Sequence, residues 1–198
     1  KVGTLGSKFD FFHEWKRLKE DEAGAVDLET MLLGICEKKT FMDLFENFIL
    51  YDHTDGRTAK ILARNHQYLG VNEAMKAYAN RKLNDGKLGV FWHTQGSGKS
   101  LSMVFYAHLL QEVLDSPTIV VMTDRIDLDD QLYSQFAKCA KFLRQTPVQA
   151  ESKEHLKTLL EGRSANGIIF TTMFKFERGE NPLSERRNIV VMADEAHR

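Results

Sequence analysis

The chain has 198 residues, 42% hydrophobic and 28% charged, with a net charge of −1. This is the composition of a globular chain with apolar material for one good core and an appendage. It excludes a bilayer span, because no apolar run approaches roughly 20 residues, and its near-neutral total does not advertise nucleic-acid binding, although local basic strips remain compatible with it.

The first ~50 residues read as helical. Ser7 followed by Asp10 resembles a capping box and leads into Phe11, Trp15 and Leu18 on one helical face. Leu28, Met31, Leu32 and Ile35 recur at i, i+3, i+4 and i+7, and Thr40 with Asp43 suits the start of a further helix carrying Phe41, Leu44, Phe45 and Phe48. Turn residues from Tyr51 to Gly56 break the pattern. The next expected helix runs over 71–83 and ends at the turn Asn84-Asp85-Gly86. From there strands expected at 88–92, 118–123, 167–172 and 188–193 alternate with helices expected at 99–114, 127–143 and 152–161. Short continuous apolar strands alternating with helices predict an α/β fold, a parallel sheet with helices on both faces. Such sheets bind ligands beyond the carboxyl ends of their strands. Lys99, Thr123, Thr171 and Asp194 all fall at or just after such ends, so they are expected to converge on one crevice.

The most specific stretch is His93-Thr94-Gln95-Gly96-Ser97-Gly98-Lys99-Ser100, set between the apolar run 88–92 and a helix. Strand, glycine-rich turn, Lys-Ser and helix form the arrangement that holds a nucleoside triphosphate. Gly96 and Gly98 allow backbone conformations that bring amide N–H groups around phosphate oxygens. Lys99 supplies a charge for the outer phosphates, and Ser100 offers a hydroxyl to Mg²⁺. The strict pattern begins with glycine where this chain has His93, so the match is partial. The second stretch is the apolar run 189–193, which delivers Asp194 and Glu195. A carboxylate at a strand end holds Mg²⁺ through water. Its neighbour can orient or deprotonate an attacking water, and the cation relieves the repulsion between adjacent acids. These stretches predict binding and hydrolysis of ATP. Cys36 and Cys139 lie far apart in apolar settings and are expected to be buried free thiols of a reducing cytosol. The seven histidines show no metal-ligand spacing.

Asp194-Glu195-Ala196-His197 is a DEAH box, and with Gly96-Ser97-Gly98-Lys99-Ser100 it resembles the first motor domain of superfamily 2 helicases and translocases. Longer strings carry the likeness further. Trp92 to Met103, Thr123-Asp-Arg-Ile-Asp-Leu-Asp-Asp-Gln131, Thr171-Thr-Met-Phe-Lys-Phe176 and Ala193 to Arg198 resemble HsdR, the restriction and motor subunit family of type I restriction–modification enzymes. Ala63-Arg-Asn-His-Gln-Tyr68 and, near the start, Phe12 to Lys16 and Asn47 to Leu50 fit the same family.

The resemblance implies a RecA-like first motor domain over 56–198, incomplete at its C-terminus, preceded over 1–55 by the helical tail of a nuclease domain and a linker. It implies an ATP- and Mg²⁺-dependent translocase of duplex DNA, acting in the cytoplasm of a bacterium or archaeon with methyltransferase and specificity subunits. Both ends look cut, which places the nuclease residues upstream of Lys1; Glu14-Trp15-Lys16 has a nuclease-like spacing but a helical apolar period. The family implies that Gln67 reads adenine, with Arg64 and Tyr68 flanking the base; the alternative is a solvated polar residue near a helix start. It places DNA contacts at Arg125, Thr171, Thr172 and Lys175. The alternatives are a salt bridge of Arg125 with Asp127, Asp129 and Asp130, and strand-end capping by the threonines beside a surface lysine. His197 either couples hydrolysis to DNA or packs in the core. Two other functions stay open: a stand-alone superfamily 2 helicase or remodeller, and a nucleotide-binding module with little turnover.

Overall fold

The computed structural model describes residues 1–52, 58–94, 96–113, 115–124, 126–175 and 182–194, with backbone alone for Asp52 and Ile126–Asp129. They fall into two compact units, Lys1–Leu109 and Leu110–Arg198.

The first unit opens without an α-helix. A short 3-10 turn at Phe9–Phe11 is followed by extended chain, and Val2 bridges His13 antiparallel. The helix expected from Ser7 onward is therefore absent; Ser7 hydrogen-bonds Thr4 instead of capping. Trp15 is buried as the periodicity suggested, but from an extended segment. Asn65 anchors that segment. Its Oδ1 accepts from Lys16 N at 3.2 Å and Arg17 N at 3.0 Å, and its Nδ2 donates to Arg17 O at 2.9 Å. Helix α1 (Leu28–Ile35) starts at Asp27, whose Oδ1 accepts from Thr30 N. Helix α2 (Lys38–Asn47) is capped by Glu37 accepting from Thr40 N, so the cap lies three residues before the Thr40 expected to provide it. Gly34 of α1 meets the Trp15 indole so closely that a Cβ there would collide with it.

The helical reading of the first 55 residues thus holds only for α1 and α2. An unforeseen antiparallel pair follows, β1 (Ile49–Asp52) with β2 (Ala59–Leu62), in register Ile49 opposite Leu62. Helix α3 (Asn65–Ala79) begins six residues before the expected position and ends in a 3-10 turn, Arg81–Asn84. Phe48 packs against Tyr68 and Phe105, with centroids 4.8 and 5.3 Å apart, so α2, α3 and α4 (Lys99–Gln111) share one core. Residues 88–92 take no strand conformation. Gly89 has φ +99°, Val90 is 93% exposed and Trp92 80% exposed, so this stretch lacks both the continuous extended geometry and the two covered faces of a buried strand.

The second unit is the parallel sheet. Its strands are β3 (Thr118–Thr123), β4 (Val148–Gln149), β5 (Ile168–Thr172) and β6 (Ile189–Ala193), in the order β4-β5-β3-β6, all parallel. Helices α5 (Ile126–Lys138) and α6 (Lys153–Glu161) lie between them in sequence. Side-chain alternation on β5 puts these helices on opposite faces. Phe170 meets Tyr133 and Phe136 of α5 edge-on at 5.5 and 5.1 Å, whereas Ile169 clusters with Leu156 and Leu160 of α6. An α/β sheet covered on both faces is what the apolar strands predicted. Arg186 ties the far end together, donating to Leu160 O, Arg163 O, Thr118 Oγ1 and Asn188 Oδ1.

Both cysteines are free thiols, but Cys36 is exposed and Cys139 half-buried, unlike the buried pair expected. No helix among the described residues is long and apolar enough to cross a membrane.

The Phe170 ring is fully buried between β5 and α5. Phe170→Ala should lower the unfolding free energy by about 3–5 kcal/mol. Denaturant titration followed by circular dichroism measures this; a loss under about 1 kcal/mol would mean that the ring is not the centre of this core.

Candidate phosphate-binding site

Two glycines shape the loop. Gly96 has φ +79° and Gly98 φ +89°, values that a side chain disfavours. Ser97 N donates to Thr94 O at 3.2 Å, which closes the turn. Gly98 then starts α4: its carbonyl accepts from Leu101 N at 3.0 Å and Ser102 N at 3.2 Å. Lys99 and Ser100 therefore occupy the first turn of the helix, where backbone N–H groups and the helix dipole favour an anion. Ser97 Oγ is buried with no hydrogen-bond partner among the described residues. An orphaned buried hydroxyl, two left-handed glycines and a helix start fit a phosphate cradle. Thr94 precedes the turn as expected; Gln95 lies outside the described residues.

The first turn of α3 grips this loop. Gln67 is 2% exposed, and its Nε2 donates to Gly98 O at 2.9 Å while its Oε1 accepts from Arg64 N at 2.8 Å. The second bond is half a capping box; Arg64, which has no acceptor, cannot supply the other half. A primary amide has two N–H groups and two lone pairs, so one of each on Gln67 stays available beyond these bonds. His66 Nε2 lies 3.0 Å from Ser97 O. The His66 ring meets His93 edge-on at 4.8 Å, and His93 leans on Phe91 at 4.4 Å. A Cβ at Gly70 would sit 2.6 Å from the Phe91 ring, so glycine lets this segment approach α3. Tyr68 packs between Trp15 and Phe48, and burial pushes its hydroxyl pKa up to about 12. Its half-buried ring is thus engaged by two aromatic neighbours. Arg64 lines an open polar cleft of about 300 Å³ with His13, Glu14 and Lys16.

The acid stretch behaves as a strand end. Asp194 follows β6, and its N–H donates to Met122 O at 2.8 Å beside the end of β3. Thr123 is in register with Thr172, so Thr123, Thr172 and Asp194 share the carboxyl edge of the sheet. Thr171 and Thr172 are 0% and 3% exposed, with Thr171 Oγ1 directed to Thr172 O. Lys175 is half-buried in the 3-10 turn Met173–Lys175 and donates to Ala150 O. Arg125, Glu195 and His197 lie outside the described residues. Asp130, offered as a partner for Arg125, accepts from Gln149 Nε2 at 3.1 Å.

Sequence reasoning singled out Gln67 but missed His66, Gly70 and Phe91. The legible signal was a glutamine at the third helical position, the capping-box place, but that reading requires a helix start at Asn65.

A glycine turn opening a helix, in a chain that also builds a doubly covered parallel sheet, defines a P-loop nucleotide-binding α/β protein. The chain belongs to the SWI2/SNF2 ATPase family, which matches residues 66–198. Among curated proteins it is similar to restriction subunits, as the motif strings indicated. It is 41% identical to the type I restriction enzyme HindI endonuclease subunit of Haemophilus influenzae, over 100% of this chain and 20% of that subunit. It is 31% identical to the putative type I restriction enzyme MjaIXP endonuclease subunit of Methanocaldococcus jannaschii, over 100% of this chain and 21% of that one. The chain spans about one-fifth of the length of these relatives.

The histidines beside the loop are held neutral. Burial lowers His93 from 6.5 to about 4, assisted by His66, Arg17 and Lys99; His66 is lowered chiefly by burial, against the hydrogen bond to Ser97. The unfolded imidazole of His93 takes its proton near pH 6.5 and the folded one only near 4. Stability linked to neutral His93 is therefore complete above pH 6.5 and lost as pH falls toward 4. Between pH 6.5 and 5, unfolding free energy should fall less steeply in His93→Phe than in the wild type. Denaturant titrations at stepped pH measure the slopes; parallel slopes would assign the acid sensitivity to other groups.

Proposed function

We propose that this chain is part of the ATP-driven DNA-translocating motor of a type I restriction endonuclease subunit. The observation that carries the reading is the glycine turn gripped by α3 at the start of α4, in a chain similar along its whole length to restriction subunits. In this reading residues 1–55 are the end of a nuclease domain with its linker, and 56–198 belong to a first RecA-like domain.

The proposed roles follow from chemistry. The loop Thr94 to Gly98 wraps the phosphates with backbone N–H groups, and Lys99 neutralises charge on the outer oxygens as the terminal phosphoryl group departs. Gln67 presents its remaining N–H and lone pair to adenine. Glu195 orients the attacking water and accepts its proton. Ser100 and Asp194 offer the oxygen-only donors that a hard cation requires, Asp194 through water. Bound Mg²⁺ would supply charge neutralisation to the phosphates. Arg125 and Lys175 give cations to the DNA backbone, Thr171 and Thr172 give hydroxyls once strand-end packing opens, and His197 couples the two events. The complex would comprise methyltransferase and specificity subunits and act on duplex DNA in a bacterial or archaeal cytoplasm.

A second reading applies to these 198 residues alone: a nucleotide-binding module with little turnover. It is favoured by the unpaired 88–92 segment and by the lack of a described partner on the outer side of β6. A superfamily 2 helicase acting alone is the third possibility, and the restriction-subunit relatives weigh against it.

Lys99→Ala in the whole subunit should lower DNA-stimulated ATP turnover by about 10²–10³-fold. A coupled phosphate-release assay with duplex DNA measures it, and undiminished turnover would remove Lys99 from the site.

A further inference from the structure

We propose that His66 is a positioning residue of the phosphate loop, fixing the orientation of the Ser97–Gly98 peptide so that the loop is set for nucleotide before nucleotide arrives. This rests on the reading of residues 93–100 as the phosphate site.

The argument starts from the peptide bond. A trans peptide is planar, with the carbonyl of one residue and the N–H of the next on opposite sides. Holding the Ser97 carbonyl against α3 therefore turns the Gly98 N–H away from α3. Holding the Gly98 carbonyl there does the same to the Lys99 N–H. The two anchors are adjacent on α3: His66 Nε2 at 3.0 Å from Ser97 O, and Gln67 Nε2 at 2.9 Å from Gly98 O. The Ser97 carbonyl can only accept, so His66 bears its proton on Nε2 in this contact. Gly98 has the left-handed φ of +89° that the pair of orientations demands, and a Cβ there would lie 2.7 Å from Gln67 Nε2. The His66 ring is itself braced. His93, which stands where the strict motif has glycine, meets it edge-on at 4.8 Å, and Phe91 backs His93 across Gly70. A glycine at 93 would leave His66 without this wall. Glycines 96 and 98 give the loop access to many orientations; the side chains of α3 select one.

The prediction separates His66 from mere packing. In the whole subunit, His66→Ala should weaken binding of ADP and of ATP with Mg²⁺ by about tenfold, the scale of one backbone-orienting hydrogen bond. KM for ATP should rise in parallel while kcat changes less. His66→Gln puts an amide N–H the same number of bonds beyond Cβ and should restore affinity to within about threefold. Isothermal titration gives the affinities, and thermal unfolding without nucleotide reports the fold. Wild-type affinity in His66→Ala would overturn the proposal. So would a His66→Gln protein that melts like wild type yet binds as weakly as a His66→Ala protein of equal stability. If His66→Ala does not fold, His66→Gln decides alone, through restored or lost affinity at wild-type melting temperature. Lys99→Ala is the separating control: if it too binds nucleotide normally, the phosphate-site reading fails, and not just the role of His66.

Discussion

The first unit turns on one constraint, that a carbonyl cannot be fixed without fixing the amide that follows it. Glycine is needed where the loop bends, yet glycine alone leaves the loop a large ensemble to lose on binding. Neighbouring side chains on the first turn of α3 remove that freedom at Ser97 and Gly98. The grip requires α3 to be placed firmly, and it is. Asn65 ties the extended segment at Lys16 and Arg17, Tyr68 wedges between Trp15 and Phe48, and Gly70 admits Phe91. Residues in the first two turns of one helix thus serve three different neighbours. The family match beginning at His66 starts at this grip.

In the second unit the corresponding constraint is the two-residue period of β5. Ile169 facing α6 and Phe170 facing α5 commit the sheet to burial on both sides. A sheet so covered leaves its strand ends as the accessible backbone, and register then decides which residues meet there. Pairing Thr123 with Thr172, and Met122 with Ala193, brings two hydroxyls and the Asp194 carboxylate to the same edge. Thr123, Thr172 and Asp194 lie far apart in sequence, and the parallel pairing of their strands brings them together.

The second unit was more legible in the sequence than the first. Strands β3, β5 and β6 are uninterrupted runs of β-branched and apolar residues with nothing helical about their period, and their bounds agree with the expected ones to within a residue. The first 60 residues misled because aromatic spacing compatible with a helix also suits an extended segment whose side chains are buried by tertiary contact, as Trp15 is against Gly34. The β1–β2 pair escaped notice because its strands are only four residues long and flank turn residues. Helix α3 starts early because Asn65 and Gln67, polar residues that read as loop, are engaged by long-range and capping hydrogen bonds. The glycine turn was visible from its motif. Its clamp was not, because His66 lies 31 positions before Ser97 and no local rule links them.

On β6, Val190 is buried and Val191 is 54% exposed, although Val191 pairs with the buried Val120 of β3. Among the described residues β6 pairs on one side only, and an apolar strand with an open ladder edge is a surface that natural sheets cover or blunt, since its N–H and C=O groups invite another chain. The run 88–92 of the first unit meets its apolar content differently: Gly70 admits Phe91 against α3, while Val90 and Trp92 face outward and Gly89 takes a positive φ. The apolar run 88–92 thus spends its one packed ring against a helix and not in a strand ladder, which is why its pattern pointed to a strand that the structure does not form.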